Sequence, residues 1–196
     1  HAGVSAINTG SGAVNVNVDG AVSGTTGIYA VTGTGAIDIG TAGDRSTGSI
    51  TANGAPGIYA ATAGNIGIHV GAVSTTGGNP VSFGDDRQPF PISSDSGYAI
   101  LALSSAGTVT INANGLVSGG TTGAINAALV GIETNNRNGG AISILSGGSV
   151  TSGAGTNGIN ARSNGTGSVT IGSTAQRTGP VVAGATGVFA TSEGDI

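Results

Sequence analysis

The sequence predicts an all-β protein: a parallel β-helix, or solenoid, with three short strands per coil and about six to seven coils along 196 residues. Three observations predict it. A three-part apolar module recurs in fixed order along the whole chain. Within each module the apolar residues alternate, which is the strand period. Glycine occurs 40 times, yet hydrophobic residues make up 37% of the chain and the net charge is only −4. A disordered chain would combine low hydrophobicity with high net charge, so the glycine belongs to a packed repeat.

The first module is Gly/Ala-apolar-x-Ala. Its apolar residue falls at Val4, Ile28, Ile58, Ile100, Ile125, Ile159 and Val188. Alanine stands two positions later, at Ala6, Ala30, Ala60, Ala102, Ala127, Ala161 and Ala190. Residues two apart on a strand share a face, so each such pair points inward and the residue between them points outward. That outward column reads Ser5, Tyr29, Tyr59, Leu101, Asn126, Asn160 and Phe189. Tyr29, Tyr59 and Leu101 form its aromatic-apolar stretch. They are predicted to be a surface strip, with the two tyrosines stacked at the coil spacing of about 4.8 Å.

The second module is Gly-x-apolar-x-apolar, at Val14/Val16, Ile37/Ile39, Ile66/Ile68, Val109/Ile111, Ile142/Ile144 and Val169/Ile171. The third places one apolar residue at Val22, Ile50, Val73, Val117, Val150 and Val181. Three β-branched strands separated by Gly/Ser/Thr/Asn turns make one unit. Strands this short do not form free-standing sheets, but coils stacked like on like bury them in common columns. An antiparallel array of hairpins leaves the fixed module order unexplained. Glycine is expected at the corners because it adopts positive φ without strain. Asn-Gly pairs led by Asn53, Asn114, Asn138, Asn157 and Asn164 suit such turns.

Composition removes several function classes. Cysteine is absent, which rules out disulfides, thiolate catalysis and cysteine zinc sites. His1 and His69 are the only histidines, and no ligand spacing surrounds them. No metal and no cofactor are expected. Five Lys+Arg residues against nine Asp+Glu provide no basic stripe, so a nucleic-acid partner is not expected. No run of 18 apolar residues is present, so no transmembrane helix is expected.

The stretches GIYAVTGTGAIDIG (27–40), GNIGIHVGAVSTTGG (64–78) and GTVTINANGLVSGG (107–120) resemble the passenger-domain repeats of Gram-negative autotransporters and related secreted adhesins. The resemblance implies a right-handed helix and an extracellular or cell-surface location, secreted or attached to the outer membrane. It also implies a membrane barrel outside these residues. Gly194-Asp195-Ile196 matches the start of a second module, so residues 1–196 are expected to be one solenoid segment of a longer chain.

Insertions in a solenoid become loops. The largest occupies residues 74–97: Val73 and Ile100 are 27 positions apart, where Val22 and Ile28 are 6. Its centre, GGNPVSFGDDRQPFPISSD (77–95), supplies the candidate binding residues Phe83, Asp85, Asp86, Arg87, Phe90 and Asp95. Smaller insertions are read at 41–47, with Asp44 and Arg45, at 129–140, with Glu133 and Arg137, and at 173–179, with Arg177. Adjacent Asp85 and Asp86 face opposite ways on a strand, so a paired-carboxylate site needs a turn to assemble it. SDSGY (94–98) with His69 is too small a basis for a serine protease, because His69 sits inside a repeat strand.

The expected function is non-enzymatic: a structural stalk or adhesive surface fibre of a bacterial secreted, autotransporter-like protein. Its loops would meet a cell-surface or matrix ligand, or other copies of the chain. One alternative is a glycan-active lyase or hydrolase using residues 79–95. Another is a subunit of a self-assembling filament.

Overall fold

The computed structural model describes residues 1–43, 48–54, 56–76, 98–115, 117–119, 132–136, 139–154 and 157–196. The described chain is all strand and turn. The first coil contributes β1 (Ala2–Asn8), β2 (Val14–Val16) and β3 (Val22–Gly24), and the second β4 (Thr26–Thr32), β5 (Ile37–Ile39) and β6 (Ile50–Ala52). The third has β7 (Ile58–Thr62), β8 (Ile66–Val70) and β9 (Val73–Thr75). The fourth has β10 (Ile100–Ser104), β11 (Val109–Ala113) and β12 (Val117–Ser118). The fifth has β13 (Ile132–Asn136), β14 (Ile142–Ser146) and β15 (Val150–Ala154). The sixth has β16 (Ile159–Ser163), β17 (Val169–Ile171) and β18 (Val181–Gly184), and β19 (Val188–Thr191) opens a seventh.

Every strand pairs, in parallel, with the strand three elements away. The first sheet runs β1-β4-β7-β10-β13-β16-β19, the second β2-β5-β8-β11-β14-β17, and the third β3-β6-β9-β12-β15-β18. This is a parallel β-solenoid with three sheets, as the three-part module requires. Register follows the columns: Ile28 pairs with Ile58, Ile58 with Ile100, Ile37 with Ile66, Ile50 with Val73. Their side chains form one continuous apolar core through the stacked coils. Ile28, Ile58, Ile100, Ile111 and Ile144 are wholly buried. Each such side chain contributes roughly 1.5–3 kcal/mol by leaving water.

The fifth coil corrects one expectation. Its first strand is Ile132–Asn136, pairing Ile100 with Ile132 and Ile132 with Ile159. Ile132 and Thr134 take the column positions assigned to Ile125 and Ala127, and Glu133 takes the register position assigned to Asn126. The physical reason is corner length. Ile58 precedes Ile66 by 8 residues and Val4 precedes Val14 by 10. Ile132 precedes Ile142 by 10, whereas Ile125 precedes it by 17. Within the expected 129–140 insertion, residues 132–136 are therefore a strand of the first sheet. The extra length falls between β12 and β13, at the same corner as the long segment between β9 and β10.

A second column was not foreseen. The fourth residue after each inward apolar residue of the first sheet is Asn8, Thr32, Thr62, Ser104, Asn136, Ser163 or Ser192. Thr32, Thr62 and Ser104 are wholly buried. Each donates its hydroxyl to a glycine carbonyl of the preceding coil: Thr32 to Gly12 at 2.9 Å, Thr62 to Gly35 at 2.6 Å, Ser104 to Gly64 at 2.8 Å. Ser163 does the same to Gly140 at 3.1 Å and Ser192 to Gly167 at 2.5 Å. Most also accept the N–H of a glycine just ahead, as Thr62 does from Gly64 and Ser104 from Gly107, both at 2.9 Å. The hydroxyl closes its own turn and ties it to the coil before, so no buried corner group lacks a partner at these points.

The role of glycine also differs from the expected one. Among the described residues only Gly40, Gly139 and Gly172 have positive φ, at 65°, 85° and 77°. Most corner glycines are needed because backbones stack on each other. A Cβ on Gly64 would lie 2.5 Å from the Gly35 carbonyl oxygen and 2.6 Å from that of Thr34. Space, not φ, selects glycine there.

Candidate functional site

The outer rows of the three sheets differ in chemistry. On the first sheet, Tyr29 pairs with Tyr59, and Tyr59 with Leu101. The two rings stack with centroids 5.2 Å apart and planes 10° apart. The predicted stacking is therefore present. The predicted exposure is not: Tyr29, Tyr59 and Leu101 are 7%, 0% and 3% exposed. With Val31 and Ala61 they form a second apolar cluster, against which Ala2, Tyr98 and Leu103 pack. Pointing away from the coil interior is not the same as facing water. Here the middle of the first sheet is buried on both faces: β4 and β7 have no exposed residue at all. A sequence signal existed. The outward positions of these strands are Tyr29/Val31, Tyr59/Ala61 and Leu101/Leu103, without a polar residue among them. A solvated face would alternate apolar-in with polar-out.

The second sheet does alternate in that way. Its outward row is Asn15, Asp38, Gly67, Thr110, Ser143 and Thr170, in register from coil to coil. Asp38 is exposed between the wholly buried Ile37 and Ile39. Its carboxylate leans over Gly67, where an added Cβ would lie 2.7 Å from Oδ1. His69 is half-buried on the adjoining outward row, in register with Asn112.

The third sheet carries a hydroxyl row that sequence reading missed: Ser23, Thr51, Ser74, Ser118 and Thr151 on five successive coils. Ser74 donates to Thr51 at 3.5 Å. The row was legible as the residue after each third-module apolar position. It is a neutral, hydrogen-bonding face, interrupted at the sixth coil by Val182, which is 61% exposed. Further apolar exposure gathers near β19. Val188 and Phe189 are exposed, the Arg162 guanidinium lies 5.2 Å over the Phe189 ring, and Arg162 Nε donates to Asn160 Oδ1 at 3.2 Å. An open cavity of about 520 Å³ lies beside them, lined by Val169, Ile171, Val188, Ala190, Asp195 and Ile196 among others.

The loop residues Phe83, Asp85, Asp86, Arg87, Phe90 and Asp95 lie outside the described residues, as do Asp44, Arg45 and Arg137. Arg177 lies in the described corner between β17 and β18 and is exposed. Among the described residues no three His, Cys, Asp or Glu side chains converge to hold a metal ion. No helix among them is long and apolar enough to cross a membrane.

Fold and surface together define a three-sheet parallel β-solenoid whose first sheet is buried on both faces at β4 and β7 and whose other two sheets carry outward polar rows. No family model matches the chain, and neither a curated protein nor a solved structure matches it.

Proposed function

We propose that the chain is a stalk or adhesive fibre segment of a bacterial secreted, autotransporter-like protein, acting as a scaffold rather than an enzyme. The observation that carries this reading is the unbroken continuation of the three sheets, locked coil to coil by the corner hydroxyls of Thr32, Thr62, Ser104, Ser163 and Ser192. Such a body is extended, stiff along its axis and able to carry loops at fixed heights. The two longest connections leave the same corner of successive coils, before β10 and before β13. The partner is a ligand on a cell surface or matrix, and the location is the bacterial exterior.

The test is a paired assay. Beads coated with the protein are scored for adhesion to host cells and matrix, and the soluble protein is scored for cleavage of a glycan panel. Substituting Asp85, Asp86 and Arg87 together should weaken adhesion. Glycan cleavage abolished by that substitution, with adhesion intact, would replace this reading by the lyase or hydrolase alternative.

A self-assembling filament is a second reading. It is favoured by the like-on-like parallel stacking of all three sheets, the pairing mode by which separate chains also stack. Concentration-dependent sedimentation distinguishes it from the stalk.

A further inference from the structure

We propose that Asn164 is a site of spontaneous covalent modification. With Gly165 it closes to a succinimide and reopens to isoaspartate, which loosens the seventh-coil segment from the sixth. In this reaction the Gly165 backbone nitrogen attacks the Asn164 side-chain carbonyl carbon. The new N–Cγ bond forms as the Cγ–Nδ2 bond breaks. The glycine N–H proton is lost to solvent base, and Nδ2 leaves as ammonia. Water then opens the cyclic imide at either carbonyl. Opening at the former backbone carbonyl leaves the chain running through Cγ, one methylene longer, with a free carboxylate.

Sequence alone does not single out this residue, because the same dipeptide occurs at Asn53, Asn114, Asn138 and Asn157. The structure separates them through the nucleophile. The N–H of Gly115 donates to the Gly71 carbonyl at 3.2 Å, and that of Gly158 to the Thr186 carbonyl at 3.0 Å. Both nitrogens are held in inter-coil hydrogen bonds. Asn114 is further restrained because its Oδ1 accepts from Gln176 Nε2 at 3.4 Å. Gly165 is different: its carbonyl accepts from Glu193 N at 3.1 Å and from Ser192 Oγ at 3.4 Å, but its N–H has no acceptor among the described residues. The Asn164 side chain is exposed and equally unrestrained among them. Asn53-Gly54 also leaves the glycine N–H without such an acceptor. Gly54, however, is buried, and the Asn53 N–H is tied to the Gly24 carbonyl at 3.1 Å. Asn138 lies outside the described residues.

The consequence follows from the same hydrogen bonds. The Gly165 carbonyl holds Ser192 and Glu193, at the corner that follows β19. An added methylene between residues 164 and 165 displaces that carbonyl. The reaction also converts a neutral amide into a carboxylate on a chain whose formal net charge is already −4.

The experiment is prolonged incubation of the purified protein in mildly alkaline buffer at body temperature, with peptide mapping and isoaspartate detection at each asparagine. A parallel sample is unfolded in urea. In the folded protein Asn164 should convert about fivefold or more faster than Asn114 and Asn157, since freeing one glycine N–H removes an obstacle of ordinary hydrogen-bond size. In urea the three should converge. Equal rates in the folded protein overturn the proposal, and so does an Asn164 preference that persists in urea. Amide exchange at residues 192–194 should accelerate in aged protein and stay at its starting rate in aged N164Q. Unchanged exchange after conversion of Asn164 overturns the loosening.

Discussion

The hydroxyl of Thr62 donates to the carbonyl of Gly35, 2.6 Å away and 27 residues earlier in the chain, while accepting the N–H of Gly64. One buried side chain therefore closes its own corner and fastens it to the coil before. Thr62→Val keeps the shape and removes both interactions, leaving a buried carbonyl and a corner N–H without partners. The expected loss is about 1–3 kcal/mol, read as a lower urea midpoint at unchanged slope. Thr62→Ser should recover most of that loss, because serine performs the same task at Ser104 and Ser163. A valine variant as stable as the parent removes the corner lock from the account of the fold.

The glycine columns make a prediction with two signs. An alanine at position 64 drives its Cβ against the Gly35 and Thr34 carbonyls, at 2.5 Å and 2.6 Å in the present backbone. Two coils must separate to admit it, at a cost of roughly 1–3 kcal/mol as for other overpacking. Gly20 also lies at a corner, yet a Cβ there meets nothing within 4 Å, and Gly20 is not among the residues with positive φ. Gly20→Ala should leave stability unchanged or raise it by about 0.4–1 kcal/mol through the unfolded chain. Equal destabilisation of both variants in thermal unfolding means that φ, not space, selects glycine here.

The inward columns were legible because strict alternation of Val and Ile encodes a face directly. Every second- and third-module position read from the sequence lies in its predicted sheet. The first module misled at Ile125 because Ala124-Ile125-Asn126-Ala127 fits its pattern in full, whereas Gly131-Ile132-Glu133-Thr134 has threonine in the alanine position. The spacing to Ile142 points the other way, and that is a property of the corner rather than of the strand. The tyrosine strip misled for a different reason. Alternation tells which side of its own strand a residue occupies, but not what packs across from that side. The candidate loop, residues 79–95, has no periodicity to read, so its residues were chosen by chemistry alone.

Burial of the tyrosine strip has an energetic signature. Tyr59 is wholly buried, stacked on Tyr29 and in register with Leu101. Tyr59→Ala should cost about 3–5 kcal/mol, the range for large aromatics removed from cores. A solvent-facing tyrosine would change stability by no more than about 0.5 kcal/mol. Chemical denaturation separates the two, and a near-neutral result would return these residues to the surface.

The sharpest contrast lies between adjacent positions on the strands. Asp38 sits exposed between Ile37 and Ile39, both wholly buried, so the fold already accepts a carboxylate one residue away from its core. A step of one residue moves a side chain to the opposite face. Ile58 occupies the inward face, wholly buried and in register between Ile28 and Ile100. Ile58→Asp places a carboxylate in that apolar column with nothing to pair it, a cost of several kcal/mol after relaxation. Set against total stabilities of about 5–15 kcal/mol for folded domains, that is enough to abolish cooperative unfolding. Asp38→Asn, changing charge on the solvated row, should move stability by no more than about 0.5 kcal/mol. The pair is checked by circular dichroism through a thermal ramp. A cooperative transition in the Ile58→Asp protein matching that of the parent would show that the column is not the core of the rod.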